Sequence, residues 1–281
     1  AHVIVADVVV PYVVVPDVVV PDIAVAHIVV SYVVVTDVVV TCDEPTFREL
    51  VKVAAEGATL PDGTILDEID DEGKVAINNF DQVAFHGTVE IESGLTDDQF
   101  RAVFISDGQT TRVAAKVGDT LDGATVEEIN KIGGVAISDF DEVAFHGRVV
   151  DPGFGGDTLK AVFTTDGLVA QEASELPDGN TLDNINEDGG VAINLFGDVV
   201  FHGRTGNVKA LFTQHGLVAK VGDNLNDGTT LKDIKDNGGV AVKPYGFEAA
   251  FHGVISVGDP GVGVDAVLVG QAPTGASPPT P

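Results

Sequence analysis

The chain has 281 residues, and it contains no tryptophan, no methionine, three tyrosines and one cysteine. A single thiol, Cys42, excludes any intramolecular disulfide, so packing rather than cross-links must hold the fold. The missing methionine extends to position 1, which points to an N-terminus processed after synthesis, as removal of a signal peptide would leave it. Basic residues are scarce: 15 Lys and Arg stand against 44 Asp and Glu, a formal charge of −29. Such a surface repels phosphate backbones and argues against a nucleic-acid partner. It suits high salt, divalent cations or a basic partner. No uncharged apolar run reaches the roughly 18 residues a transmembrane helix needs. Gly-x-Ser-x-Gly, His-Glu-x-x-His, paired-cysteine and P-loop patterns are missing too, so no catalytic residue is nominated and no enzyme is expected.

Repetition is what fills the space. A phrase seen most cleanly as Gly190 to Gly203 recurs four times and ends at Phe85-His86-Gly87, Phe145-His146-Gly147, Phe201-His202-Gly203 and Phe251-His252-Gly253. A period of about 50 to 60 residues with strand-like content marks a repeat architecture. Each copy carries an apolar strand such as Ala102 to Phe104, Ala161 to Phe163 or Ala210 to Phe212. A tight turn follows at Asp107-Gly108, Asp166-Gly167 or His215-Gly216, and then a second strand. A third strand opens at a Gly-Gly pair, and the Phe-His-Gly phrase closes a fourth. Four short strands per repeat are the unit of a propeller blade. The expected fold is therefore all-β, a four-bladed β-propeller-like repeat domain over residues 43–270. The first copy lacks an opening strand, and Ala266 to Val269 looks like an opening strand with nothing after it. A ring closed by pairing the two would explain both; Val38 to Val40 is the other source of the missing strand, and an open stack of repeats is the second architecture. Residues 271–281 read as a flexible Pro/Gly-rich tail.

Residues 1–42 form a valine-rich arm of period five, with Ala, Pro, Ser or Thr first and Asp, Tyr or His second. Runs of β-branched residues and Pro11, Pro16 and Pro21 exclude a helix. Two forms remain: an extended strand, or a short β-solenoid that resembles the pentapeptide-repeat family, in which four five-residue sides make a coil. Either form leaves Val8, Val9, Val10, Val13, Val14, Val15, Val18, Val19, Val20, Val33, Val34, Val35, Val38, Val39 and Val40 needing cover. Packing on another copy of the protein would supply it, and these valines are then the expected subunit interface; folding back on the chain's own domain is the other reading.

Within the repeats, Asn194, Gly197 and Phe201 fall at the spacing Asn-x-x-Gly-x-x-x-Phe; Asn78, Asp81 and Phe85 keep it with Asp for Gly. This pattern resembles that of secreted bacterial tandem-repeat proteins, many of which carry a surface anchor. The resemblance implies an extracellular or cell-surface β-repeat protein and brings no catalytic residue.

Two constellations invite a metal. The four repeated His would ring an axis if the blades closed, although a polar residue before a turn explains them as well. The Asp-Gly loops at Asp62, Asp122, Asp178 and Asp227, with Asp119, Glu175 and Asp223 upstream, offer oxygen ligands for Ca²⁺; Asp-Gly is equally a common turn. The linkers 88–101, 149–160, 204–209 and 254–265 vary most and are the expected contact face of a binding or adhesion module. The first expectation for function is an exported, self-assembling structural subunit; the second is that Ca²⁺-dependent module.

Overall fold

A computed structural model describes residues 52–92, 97–150, 156–246, 248–257 and 262–271. They are all-β, and their twisted antiparallel sheets are propeller-like. The first sheet holds β1 (Ala58–Thr59), β2 (Ile65–Ile69), β3 (Ala76–Ile77), β4 (Val83–Glu92), β5 (Asp97–Ser106) and β6 (Thr111–Lys116). The second holds β7 (Thr120–Leu121), β8 (Ala124–Ile129), β9 (Val135–Ile137), β10 (Val143–Val150), β11 (Thr158–Thr164) and β12 (Gly167–Gln171). A small ribbon, β13 (Ser174–Glu175) with β14 (Thr181–Leu182), leads to the third. That sheet holds β15 (Asn184–Ile185), β16 (Val191–Ile193), β17 (Val199–Thr205), β18 (Val208–Thr213) and β19 (Gly216–Lys220). The fourth holds β20 (Leu231–Ile234), β21 (Val240–Val242), β22 (Glu248–Ser256) and β23 (Gly263–Gln271).

The Phe-His-Gly phrase lies inside the central strand of each sheet. Along one edge of β10 lie β8 and β9, end to end; along the other lies β11, which turns back into β12. The phrase explains itself in this setting. In the first three sheets its Phe faces an aromatic directly across the hairpin, Phe85 and Phe104 stacking at 5.2 Å, Phe145 and Phe163 at 5.6 Å, Phe201 and Phe212 at 5.9 Å; in the fourth, Phe251 faces Leu268. Its Gly sits where the edge strand bulges inward. A Cβ on Gly147 would collide with the Glu128 carbonyl oxygen and press within 3.3 Å of the Phe163 ring.

The physical unit is therefore shifted from the sequence unit. Each sheet joins the Phe-His-Gly strand of one copy to the opening hairpin of the next. This frame removes the apparent gap at the start, because the strand after Phe85-His86-Gly87 is that sheet's own partner. It also places the last apolar run: β23 pairs with β22 over nine residues, from Glu248–Gln271 to Ser256–Gly263, and belongs to the fourth sheet instead of completing the first. The supposed variable linkers are mostly the arms of these central hairpins, ten residues a side in the first sheet and seven and six in the third.

Successive sheets pack face to face, about 10 Å apart in such layers. Val103 and Ile105 of the first pack with Phe145 and Phe163 of the second. Val162 meets Phe201 and Phe212 of the third, and Leu211 meets Ile234 and Phe251 of the fourth. Both faces of the middle sheets are thus covered, and β10 is buried at almost every position, as a continuous apolar run requires. The near face of the first sheet, Phe85 and Phe104, is roofed by Leu60 and Leu66. Among the described residues no hydrophobic cluster joins the fourth sheet to the first.

Candidate functional site

The four Asp of the Asp-Gly loops serve the turns they sit in. Asp62 Oδ1 accepts from the Thr64 amide and hydroxyl, and that hydroxyl chiefly holds its carboxyl below the usual range. Asp227 repeats this with Thr229. Burial opposes ionisation of Asp178, yet the amides of Leu217 and Asn180 and the Asn180 side chain prevail and lower its pKa. Asp122 occupies the left-handed region at φ 46° beneath Gly167. Upstream, Asp119 and Asp223 accept from the amides of Lys116 and Lys220. The four Asp belong to four separate repeats. Among the described residues no group of three or more His, Cys, Asp or Glu is placed to hold a metal ion.

The repeated His fall one to a layer. His86, His146 and His202 are buried, while His252 is only half-buried. Burial is the main cause of the depressed basicity of the three buried rings: His146 falls to about 3 and His202 to about 4, and His86 shifts the same way. Neither ring nitrogen of His146 has a hydrogen-bond partner. These are neutral core rings and not strand-end caps. Each is covered by the following repeat: His86 Nδ1 lies 3.3 Å from the Lys131 carbonyl, and His202 meets the Gly238 backbone. His252 has no following repeat and opens onto a hollow of about 420 Å³ shared with Lys209, Asp233 and Asp236. His215, which has no evident partner in the sequence, binds Asp198 Oδ1 at 2.8 Å.

The motif Asn also has a local task. Asn194 Oδ1 accepts from the amides of Phe196 and Asp198, and its Nδ2 donates to the Gly246 carbonyl of the next repeat. Asn78 does the same for Phe80 and Gln82 and donates to Ser138. Ser138 holds Phe140 and Glu142 through its hydroxyl. The motif Gly is left-handed in Gly197 at φ 79°, and Asp81 and Asp141 take the same conformation at 62° and 64°.

Two surfaces escaped the sequence reading. The first is the end of the stack. Val267 and Val269 on β23 are 80% and 69% exposed, whereas Val103, at the position of Val267 in the first sheet, is wholly buried. Val257, Val262 and Val264 are exposed as well, at the far end of the same hairpin and on its other face. β23 also has a single strand neighbour among the described residues, although its counterparts β5, β11 and β18 each have a second in β6, β12 and β19. The second surface is a row of rings, Phe80, Phe140, Phe196 and Tyr245, one per repeat and 63 to 74% exposed. An aromatic at a fixed offset before each left-handed Asp or Gly was the available signal. The nominated interface valines, Val8 to Val40, lie outside the described residues. No helix among the described residues is long and apolar enough to cross a membrane. No protein-family model matches the chain, and no curated protein matches it.

Proposed function

We propose that the protein is a structural subunit that joins copies of itself, through its valine-rich N-terminal arm, into a fibre or surface layer outside the cell. Its four sheets act as four blades of a propeller-like series whose last blade, among the described residues, is one strand short. The observation that carries this reading is that β23, among the described residues, has one strand neighbour and bears exposed valines. A nine-residue edge strand with valines on its bare face is a template for another strand. The residues that follow include Pro273, Pro278, Pro279 and Pro281, which lack the amides a ladder needs.

The occupant is argued from charge and composition. Inside the stack, Lys160 and Lys209 reach acids of the next repeat, Glu187 at 3.4 Å and Asp236 at 2.7 Å. The equivalent residue of β23 is Asp265, and the first repeat of a second copy offers Asp71 at the acidic position. Plain end-to-end stacking therefore sets acid against acid, which costs affinity. A Val-Val-Val pentad from a second copy's arm supplies backbone pairing and apolar cover without that clash, as in strand addition elsewhere.

Sedimentation velocity and negative-stain imaging test this. The full chain is expected as multimers or filaments, and a variant lacking residues 1–42 as a single-chain particle. Val267→Lys with Val269→Lys should also disperse the full chain, since both side chains already face solvent. A full-length protein that remains a single-chain particle at all concentrations overturns the reading.

A further inference from the structure

Each repeat spends an aromatic on solvent although its core is built of Phe. Phe85, Phe104, Phe145, Phe163, Phe201 and Phe212 are buried, so room inside the fold does not explain Phe80, Phe140, Phe196 and Tyr245. These four sit on firm turns. Asn78, Ser138 and Asn194 each accept from the amide of the ring-bearing residue and from a second amide two residues on, which fixes the backbone under the first three rings. Repeats are tied to one another at this edge. Asp139 accepts from the amide and side chain of Asn79 at 2.9 and 2.8 Å, and the Leu195 amide donates to the Pro244 carbonyl. The rings of Phe196 and Tyr245 are 6.2 Å apart and meet edge-on. Beside the turns runs a groove of about 150 Å³ to which all four repeats contribute, through Ile77, Ile137, Ile193 and Val242 among others.

The geometry points to a docking row for an extended cationic polypeptide, whose arginine or lysine side chains stack on these rings one per repeat. Charge selects this occupant. The four turns hold Asp81, Asp139, Asp141, Glu142 and Glu248 against one base, Lys243, which is itself paired with Glu248 at 2.6 Å, while Asp198 is buried against His215. Arg112 offsets Asp141 in an exposed pair at 3.4 Å. The remaining excess has the sign of the whole chain, −29, and it steers a basic segment towards the row. An aromatic face flanked by carboxylates is a favourable seat for a guanidinium or ammonium group. The same acids repel anionic headgroups, so a lipid surface fits less well. The rings come one to a repeat, and Phe196 and Tyr245 lie 6.2 Å apart, so the ligand's basic side chains must be spread along it singly. A polyproline-type chain, stiff and advancing roughly 9 Å in three residues, spreads them.

The test uses the full chain and two peptides of equal charge, one of Arg-Pro-Pro triplets and one with its arginines clustered, followed by calorimetry. The triplet peptide should bind more tightly. Phe80→Ala, Phe140→Ala and Tyr245→Ala should each weaken it by about two- to fivefold, and together by about tenfold or more, with no change in charge and an unchanged melting temperature. Equal binding of both peptides, or ring variants that bind as the parent does, reduces the interaction to unspecific charge and overturns the proposal. So does ring-dependent binding of a neutral oligosaccharide or of zwitterionic vesicles in place of the triplet peptide.

Discussion

Acid should undo this domain through its buried His before its carboxylates titrate. His146 and His202 have folded pKa values of about 3 and about 4, against 6.5 for the free side chain, and burial is the chief cause in both. Above pH 6.5 each ring is neutral whether the chain is folded or not, and it contributes no pH dependence. As pH falls below 6.5 the unfolded chain takes up protons that the folded chain refuses. Stability is therefore lost through the window from 6.5 down to the two folded values. At pH 5 the unfolded state is favoured by about 2 kcal/mol for each of the two rings, and His86 acts in the same direction. The pair amounts to roughly 8 to 16 °C in melting temperature for a domain of this size. Thermal unfolding between pH 7.5 and 5 reads the effect while ordinary Asp and Glu stay ionised. Glu142, whose carboxyl burial pushes up, works in the opposite sense, and so does relief of self-repulsion. The informative quantity is thus the difference between the parent and His146→Leu. Both nitrogens of His146 lack partners, so leucine removes a titrating group without orphaning another. Its loss between the two pH values should be about 2 kcal/mol smaller. An equal loss in both proteins would refute a neutral, dry His146.

Two further outcomes follow from the backbone. Asp141→Gly places a permissive residue at φ 64° and should stabilise by about 1 kcal/mol, since the exposed pair it gives up with Arg112 contributes little; a lower melting temperature would contradict this. Gly147→Ala drives a Cβ into the Glu128 carbonyl and should destabilise by about 1 to 3 kcal/mol. Gly239→Ala, where a Cβ meets nothing within 4 Å, is the matched control, and equal effects at the two sites would show that the close approach at Gly147 is not limiting.

The repeat and its strands were legible because β-branched runs, Asp-Gly turns and a recurring Phe-His-Gly phrase are local signals. The frame of the unit was not. Which hairpin partners Val143 to Val150 depends on pairing across Asp151 to Asp157, a Gly-rich stretch that reads as a loop and hides the strand arms on either side. The repeated His misled for a related reason. A polar residue between Phe and Gly reads as a cap or a ligand, and only the covering loop of the next repeat, Lys131 over His86, makes it a core residue. The Asn of the repeat motif was visible as a pattern, but its work as an acceptor for two amides and a donor to the next repeat is geometric. The exposed rings were overlooked because aromatics are only 6% of the chain. Scarcity in the whole says nothing about regularity along one edge.

The two ends of the series differ, and the difference bears on assembly. Each internal contact uses up one face of two sheets, so any linear run of such sheets finishes with two uncovered faces. The first is closed locally, by Leu60 and Leu66 over Phe85 and Phe104. The last presents valines and an edge strand. A body of charge −29 resists the approach of an identical body, but that repulsion is screened within about 8 Å at physiological salt. Residues 1–42, fully extended, reach up to about 140 Å, far beyond the screening distance. In the proposed assembly an arm of that length would let a neighbour's domain stay outside the repulsive range while the arm engages β23. On that proposal, high charge on the domain and high apolarity in the arm are not at odds: the first would suppress indiscriminate contact between bodies, and the second would leave one contact that survives it.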